Sequence, residues 1–225
     1  MKTYTVEGEV TDLRVHISAA DFTVKTGERF LVESNLSRLT VKEEDGCLVI
    51  EEPPKLSIHR TDAMLTLYLP AGAAFDRAEL TTGAGRVTVE SLLADYLSKE
   101  LGAGEVVIDT LHGNVETDID GGAGALTIKN GLLNNLDLDM GVGKLELTGI
   151  LTHDCEIDVG IGETDITLVG CADDYCISVD KGVGAVTVDG KTVEDWETYG
   201  SGVDNRLEIS GGIGKIAVAF TTQTP

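Results

Sequence analysis

A short motif, Gly-x-Gly followed by alternating apolar residues, recurs seven times in this chain and constrains its fold more than any other feature. The copies begin at Gly83, Gly102, Gly122, Gly141, Gly160, Gly182 and Gly212, at intervals of 19, 20, 19, 19, 22 and 30 residues. A period near 20 is typical of a stack of similar coils, each too small to bury its own apolar face. The repeat therefore predicts a solenoid.

Apolar columns appear when each copy is numbered from its first glycine. Position +4 holds Val87, Val106, Leu126, Leu145, Thr164, Val186 and Ile216, and position +6 holds Val89, Ile108, Ile128, Leu147, Ile166, Val188 and Val218. In a parallel β-solenoid, equivalent residues of neighbouring coils stack about 4.8 Å apart, so the inward columns must be apolar. Positions −3 and −5 are mostly apolar too, which predicts one strand before the glycines and one after them. The misfit at −3 is Lys99, which predicts that its coil is out of register by one residue.

These patterns predict an all-β chain: a single-stranded parallel β-helix of about seven coils, right-handed because parallel crossover connections nearly always are. Residues 1–78 alternate like strands without the repeat, and we expect a β-rich N-terminal part continuous with the solenoid. The solenoid is expected over 79–220 with a loop insertion at 189–204, followed by a tail at 221–225.

The glycines have a second interpretation, because Gly-x-Gly also occurs in phosphate-binding loops. Such a loop requires a helix to begin after the glycines, and here a strand pattern follows every time. We therefore expect the glycines at sharp corners that leave no room for a Cβ, and we predict no cofactor.

Charge narrows the possible partners. Lys and Arg number 17 against 39 Asp and Glu, a formal net charge of −22. So acidic a surface repels nucleic acid and anionic lipid, which leaves a protein or glycan as the expected partner of a monomer or weak oligomer.

The chain begins without an apolar leader and has no apolar stretch long enough for membrane insertion, so we expect a cytoplasmic protein. Four cysteines lack zinc-site spacing and are expected as reduced core thiols, with a Cys171–Cys176 bridge as the alternative.

Acidic residues form columns of their own at positions −2 and −4, which should face outward. The weak candidates for a metal site are Asp118, Asp120, Asp137, Asp139, Glu156 and Asp158. Oxygen-only ligands suit Ca²⁺ or Mg²⁺; a solvated face and the docking of a basic partner are the alternatives.

The 189–204 loop holds Trp196 and Tyr199, a possible partner contact, although Trp196 could instead cover the open end of the stack.

The chain resembles the bacterial DUF4097 family, whose members are often labelled putative adhesins. The resemblance lies in the Gly-x-Gly coils, in the lead-in Leu67-Tyr-Leu-Pro-Ala-Gly72, in the closing segment Leu207–Ile216, and in Ile17–Asp21 followed by Val24–Gly27. It implies a β-helix with a β-rich N-terminal part. Relatives with this repeat style also occur in envelope-stress systems.

Together these features favour a non-catalytic bacterial scaffold or binding module, with an envelope-stress association implied by the resemblance. The alternative is an adhesin-type binder of carbohydrate or surface ligands, which requires export. A polysaccharide-active enzyme is disfavoured because the columns hold few aromatic or basic residues to accompany the carboxylates. We therefore predict no catalytic residues.

Overall fold

The computed structural model describes residues 1–53, 62–193, 198–199 and 204–222, with the backbone alone for Lys181, Thr198 and Tyr199. Within these residues the chain is a single sheet of thirteen strands with one 3-10 turn at Ala172–Asp174. The strands are β1 Lys2–Thr5, β2 Asp12–Ala19, β3 Asp21–Gly27, β4 Leu31–Ser34, β5 Thr40–Glu44, β6 Cys47–Glu51, β7 Met64–Pro70, β8 Phe75–Asn134, β9 Leu136–Val169, β10 Cys176–Val188, β11 Lys191–Thr192, β12 Thr198–Tyr199 and β13 Asn205–Thr221. No helix among the described residues is long and apolar enough to cross a membrane.

The predicted parallel β-solenoid is confirmed. Strand β8 runs through three coils and β9 through two, and β8 pairs with β9 in parallel, so that Ile119 lies beside Leu138 and Leu126 beside Leu145. Residues at the same repeat position therefore stack on one another, and the −3, +4 and +6 columns form the core. Below, each coil is named after its first glycine.

The Gly83, Gly102, Gly122 and Gly141 coils each have a third inward-facing pair that the repeat did not predict. In the Gly83 coil this pair is Leu92 and Ala94, and in the Gly122 coil the buried leucine of the pair is Leu133. The predicted stretches before and after the glycines are present, and the prediction missed a third one, because these four coils bury three pairs of residues. The third pair begins nine residues after the first glycine in the Gly122 coil and eight residues after it in the Gly141 coil, where the pairing shifts by one residue after Ile128, and this blurs its column in the sequence.

The glycines lie at corners, as expected. Gly124 has φ +143°, and a Cβ there would overlap the carbonyl oxygen of Gly104 in the coil beneath. A Cβ on Gly122 would likewise overlap the carbonyl oxygen of Gly102. Stacking of backbone directly on backbone thus excludes any side chain at both positions of the motif.

The coils are not stacked in chain order at the C-terminal end. Strand β13 pairs on one side with β9 and on the other with β10, so the Gly212 coil lies between the Gly160 and Gly182 coils. The residues around the 3-10 turn carry the chain past one layer, β10 forms the outermost coil, and β13 returns to fill the layer between. The order of the layers therefore differs from the order of the coils along the chain at this end.

The N-terminal end is interleaved in the same way. Strands β2 and β3 pair with the start of β8 on one side and with β6 and β7 on the other. Both terminal coils therefore lie one layer inside the stack. Antiparallel strands cover the two outermost layers: β5 on β6 and β4 on β7 at one end, and β11 and β12 on β10 at the other.

Lys99 occupies the inward −3 column, so the expected register shift was wrong. Its side chain is 2% exposed, and its Nζ has no hydrogen-bond partner. Burial lowers the pKa of the Lys99 ammonium to about 7. The coil keeps its register and places a lysine where its neighbours place Leu80 and Ile119.

The four cysteines are free thiols. Only Cys155 is buried, and burial raises the pKa of its thiol. Cys171 is exposed, so the expectation of core thiols was wrong at this position.

Candidate functional site: the acidic face

The outward positions −2 and −4 form a continuous acidic face. Parallel pairing places Asp118 beside Asp137 and Asp120 beside Asp139. The interleaved Gly212 coil adds Glu208 next to Glu156, which extends the −4 row. The face holds ten carboxylates in all: Glu79, Glu100, Asp118, Asp120, Asp137, Asp139, Glu156, Asp158, Asp180 and Glu208.

The electrostatics of this face show mutual repulsion. Partial burial, followed by the charges of Asp137 and Asp158, raises the pKa of Asp139. Partial burial also raises the pKa of Asp118, to which Asp120 and Asp137 add. For Glu156 the first cause of a raised pKa is the neighbouring Asp158. Each of these groups is therefore harder to ionise than an isolated carboxyl; burial is the first cause of the raised pKa at Asp118 and Asp139, and neighbouring negative charge is the first cause at Glu156.

The next outer face, at positions +3, +5 and +7, is built differently and is called the paired face here. Its basic residues form ion pairs with its acidic ones, mostly across neighbouring coils. The nitrogen–oxygen distances are 2.9 Å for Arg86–Glu105, 2.6 Å for Lys129–Asp109, 2.6 Å for Lys144–Glu146, 3.1 Å for Lys215–Glu163 and 3.3 Å for Lys215–Asp165.

On the acidic face, only Glu79 has a basic partner among the side chains that the structure describes. Arg14 Nε lies 3.0 Å from Glu79 Oε2 at the N-terminal end of the face. The other nine carboxylates have no ion pair with a described side chain. The same coils thus neutralise one outer face and leave the adjacent one negative.

The six carboxylates predicted as weak metal candidates lie together on this face. They are arranged in two straight rows, and across the described part of the chain no three His, Cys, Asp or Glu side chains converge in a way that could hold a metal ion. The calcium interpretation stays a prediction.

The second predicted contact lies at the C-terminal end of the stack. Trp196 lies outside the described residues, as does the side chain of Tyr199. The backbone of Tyr199 pairs with Ile177, and Lys191 pairs with Val188, so both described strands of the 189–204 loop, β11 and β12, lie on the outer edge of β10.

Two features escaped the sequence reasoning. One is a cleft of about 350 Å³ near the N-terminal end, where the exposed ring of Tyr96 lies 5.6 Å from Arg77 Cζ. The other is the middle residue of Gly-x-Gly, which is a large exposed aliphatic in four coils: Val142, Ile161, Val183 and Ile213. The sequence feature that could have revealed this column is the change at the middle position of Gly-x-Gly, from Ala in the first three repeats to Val or Ile in the last four.

Comparison with known proteins gives a partial family match. Residues 125–189 match the N-terminal domain of toast_rack, DUF2154. The match covers less than a third of the chain, within the coils of the acidic face, and its family is a different one from DUF4097. A search of curated proteins found no match.

The chain is also similar to several solved bacterial structures, of which three are described here. A "putative adhesin" from Parabacteroides distasonis is 16% identical with a TM-score of 0.44, and one from Bacteroides fragilis is 13% identical with a TM-score of 0.45; each comparison covers 98% of this chain and 95% of the other. A "putative cell adhesion protein" from Clostridium sporogenes is 15% identical with a TM-score of 0.35 and 98% coverage of both chains. Similarity at this level does not extend to ligands or partners.

Proposed function

We propose that this chain is a non-catalytic binding module of adhesin type, a β-solenoid that holds a positively charged partner against its acidic face. The observation that carries the proposal is the contrast between the two outer faces. Nine carboxylates of the acidic face lack a described basic partner, whereas the basic side chains Arg86, Lys129, Lys144 and Lys215 on the paired face of the same coils each form an ion pair.

The contrast favours binding over simple solubility. Exposed charges 4 Å apart repel each other by about 1 kcal/mol, and salt reduces this cost. A mixture of both signs would keep the surface soluble without that cost, as the paired face demonstrates. Rigid rows of like charge at a spacing of about 4.8 Å instead offer a field that a cationic partner would neutralise along its length.

Thermal unfolding with a cationic probe tests this proposal. The probe is a peptide of repeated Lys-Ser-Gly, which carries charge without apolar side chains. Because a ligand that binds only the folded state raises its stability, we expect the peptide to raise the Tm of the wild type. The quadruple variant Asp137→Asn, Asp139→Asn, Glu156→Gln and Asp158→Asn should lose most of this shift.

A matched variant separates the acidic face from net charge. Glu105→Gln, Asp109→Asn, Glu163→Gln and Asp165→Asn remove the same charge from the paired face, and we expect them to leave the peptide-induced shift nearly unchanged. An equal loss in both variants would refute the proposal. Calcium and sodium chloride at equal ionic strength serve as further arms, because a rise specific to calcium would instead favour a metal site.

Carbohydrate binding is the second candidate function, and the Tyr96 cleft favours it. Tyr96 offers an exposed ring, Arg77 lies beside it, and the other charged residues of the lining are Asp12, Arg14, Asp76 and Glu79. Aromatic rings and charged groups in one cleft suit a sugar. Arg14 already engages Glu79 at 3.0 Å, so we favour binding over hydrolysis, which needs a pair of carboxylates free to act on the glycosidic bond.

Glycan-array binding with the Tyr96→Ala variant tests the second candidate, and wild-type binding that Tyr96→Ala abolishes would support it.

Cell fractionation tests where the protein is located in the cell. An adhesin-type role requires surface display, whereas recovery of the native protein from the cytoplasm would favour the intracellular scaffold that the sequence suggested. An envelope-stress association remains part of that scaffold hypothesis.

A further inference from the structure

An exposed apolar column runs along the corner of the stack beside the acidic face. The middle residues of Gly-x-Gly in four consecutive layers are Val142, Ile161, Ile213 and Val183, which are 49%, 48%, 55% and 72% exposed. Pairing places Ile213 directly between Ile161 and Val183. At about 4.8 Å per layer the four side chains form a strip roughly 15 Å long. We call this strip the corner column.

The fold does not require these large side chains. In the Gly83, Gly102 and Gly122 coils the same position holds Ala84, Ala103 and Ala123, and Ala123 pairs directly with Val142. A methyl group therefore satisfies the corner. The four bulkier residues expose apolar surface without adding to the core, and contiguous exposed apolar surface is a mark of interaction sites.

A groove spans the same four layers and is lined by the residues that come just before the column residues in the chain. It has a volume of about 600 Å³, and the first glycines of the four coils line it together with Met140 and Val159. Three carboxylates of the acidic face, Asp139, Asp158 and Asp180, line it too. The groove thus brings a bare glycine backbone together with three carboxylates, with Ser210 in the layer between Asp158 and Asp180.

We propose that the corner column and its groove bind a segment of a partner protein in which Lys or Arg residues alternate with aliphatic ones. This inference rests on the proposed function and names the kind of partner. Aliphatic side chains of the segment would pack on Ile161 and Ile213, while its basic groups would reach Asp139 and Asp158. The glycine floor lets a backbone approach closely, because no side chain projects from it.

Charge complementarity selects this occupant over the others. A second copy of the chain would bring a net charge of −22 and its own carboxylate rows toward the same groove, which opposes association. A glycan would need an aromatic platform, and none of the described residues that line the groove is aromatic.

Fluorescence anisotropy with two labelled peptides tests the inference. One peptide repeats Lys-Leu-Gly, and the other repeats Lys-Ser-Gly with the same charge. We expect the wild type to bind the leucine peptide at least tenfold more tightly. The double variant Ile161→Ser and Ile213→Ser should lose this preference and bind the serine peptide as the wild type does.

Two further variants complete the design. Val115→Ser removes an exposed apolar side chain elsewhere on the solenoid and should change neither affinity. Asp139→Asn with Asp158→Asn should weaken both peptides. Because all these side chains are exposed or partly exposed, we expect each variant to fold, which circular dichroism checks.

The outcomes separate the two proposals. Equal binding of both peptides by the wild type, or an unchanged leucine preference in the serine double variant, would overturn the corner-column inference and leave the acidic face as a binding surface. Failure of the wild type to bind either peptide would overturn the proposed function and this inference with it.

Discussion

Replacing the buried lysine with an apolar residue of similar shape should stabilise the protein strongly. Lys99 lies among aliphatic side chains with no partner for its ammonium group, and its pKa falls from 10.5 to about 7 in the folded state. Lys99→Met keeps most of the side-chain volume and removes the cost of carrying or giving up the charge.

The magnitude follows from proton linkage. The unfolded chain holds the proton up to about pH 10.5 and the folded chain only up to about pH 7, so at pH 7 the lysine costs about 4 kcal/mol. Between these values the unfolded state binds more protons, so wild-type stability rises with pH as this cost falls to about 1 kcal/mol at pH 10. Below pH 7 both states carry the proton and the cost stays at its maximum.

Urea unfolding of both proteins at pH 7 and pH 10 measures the effect. We expect Lys99→Met to be more stable by about 4 kcal/mol at pH 7 and by about 1 kcal/mol at pH 10. The control is Lys25→Met, at an exposed position of β3, which should change little at either pH. A stability gain that does not shrink at high pH, or no gain at all, would refute a buried ammonium as the cause.

Three more perturbations test the fold and the acidic face. Gly124→Ala should lower the unfolding free energy by more than about 3 kcal/mol, because backbone strain at positive φ adds to the overlap of the new Cβ with the neighbouring coil. The control Gly190→Ala, also at positive φ but with open space around it, should cost about 1 kcal/mol. Equal losses of the two variants in urea titrations would contradict this account. Deleting 205–221 should leave β10 without its parallel partner, so hydrogen exchange should show Cys176–Val188 fully unprotected, and retained protection would contradict the layer order. Asp139→Asn should raise the Tm at pH 7, and the gain should shrink toward pH 4, because the raised pKa lets the folded wild type take up a proton before the unfolded chain does; a gain independent of pH would rule out charge repulsion.

The repeat positions alone predicted most of the architecture. An inward column that is aliphatic in nearly every coil can only be buried in a stack, so the +4 and +6 positions and the outward acidic columns were confirmed in place. The corner glycines were predictable for the same reason, since only backbone-on-backbone contact makes the motif obligatory at every turn.

The order of the layers was not predictable from those columns. Val186 and Ile216 are equally good neighbours for Thr164, because every coil presents the same aliphatic surface to the next. The longer intervals around Gly182 hold the connections that skip a layer and return, but length alone does not show where a chain goes. The register shift predicted from Lys99 was wrong for a related reason. The charge of Lys99 favoured an outward position, but the backbone hydrogen bonds to the coils on both sides kept the register and placed the side chain inward.

The candidate site was predictable in its charge and not in its apolar part. Alternation placed Asp118, Asp137 and Glu156 outward, and the interleaved coil then added Glu208 to their row. Whether a residue at a corner points to solvent depends on the bend of the backbone, which the sequence pattern does not reveal. The aliphatic residues between the glycines therefore passed as part of the repeat.

The interleaved ends have a mechanical consequence. In a sequential solenoid the last coil is held along one edge, and tension on a chain end can peel it away layer by layer. Here β13 is bonded along both edges, to β9 and β10, and β2 with β3 is held likewise at the other end. A pull on the C-terminal end must break both ladders of β13 at once, whereas at the N-terminal end β1, which pairs with β4 alone, detaches before β2 and β3 are loaded. We therefore expect the solenoid, once β1 has detached, to yield at higher force than a sequential stack of the same length.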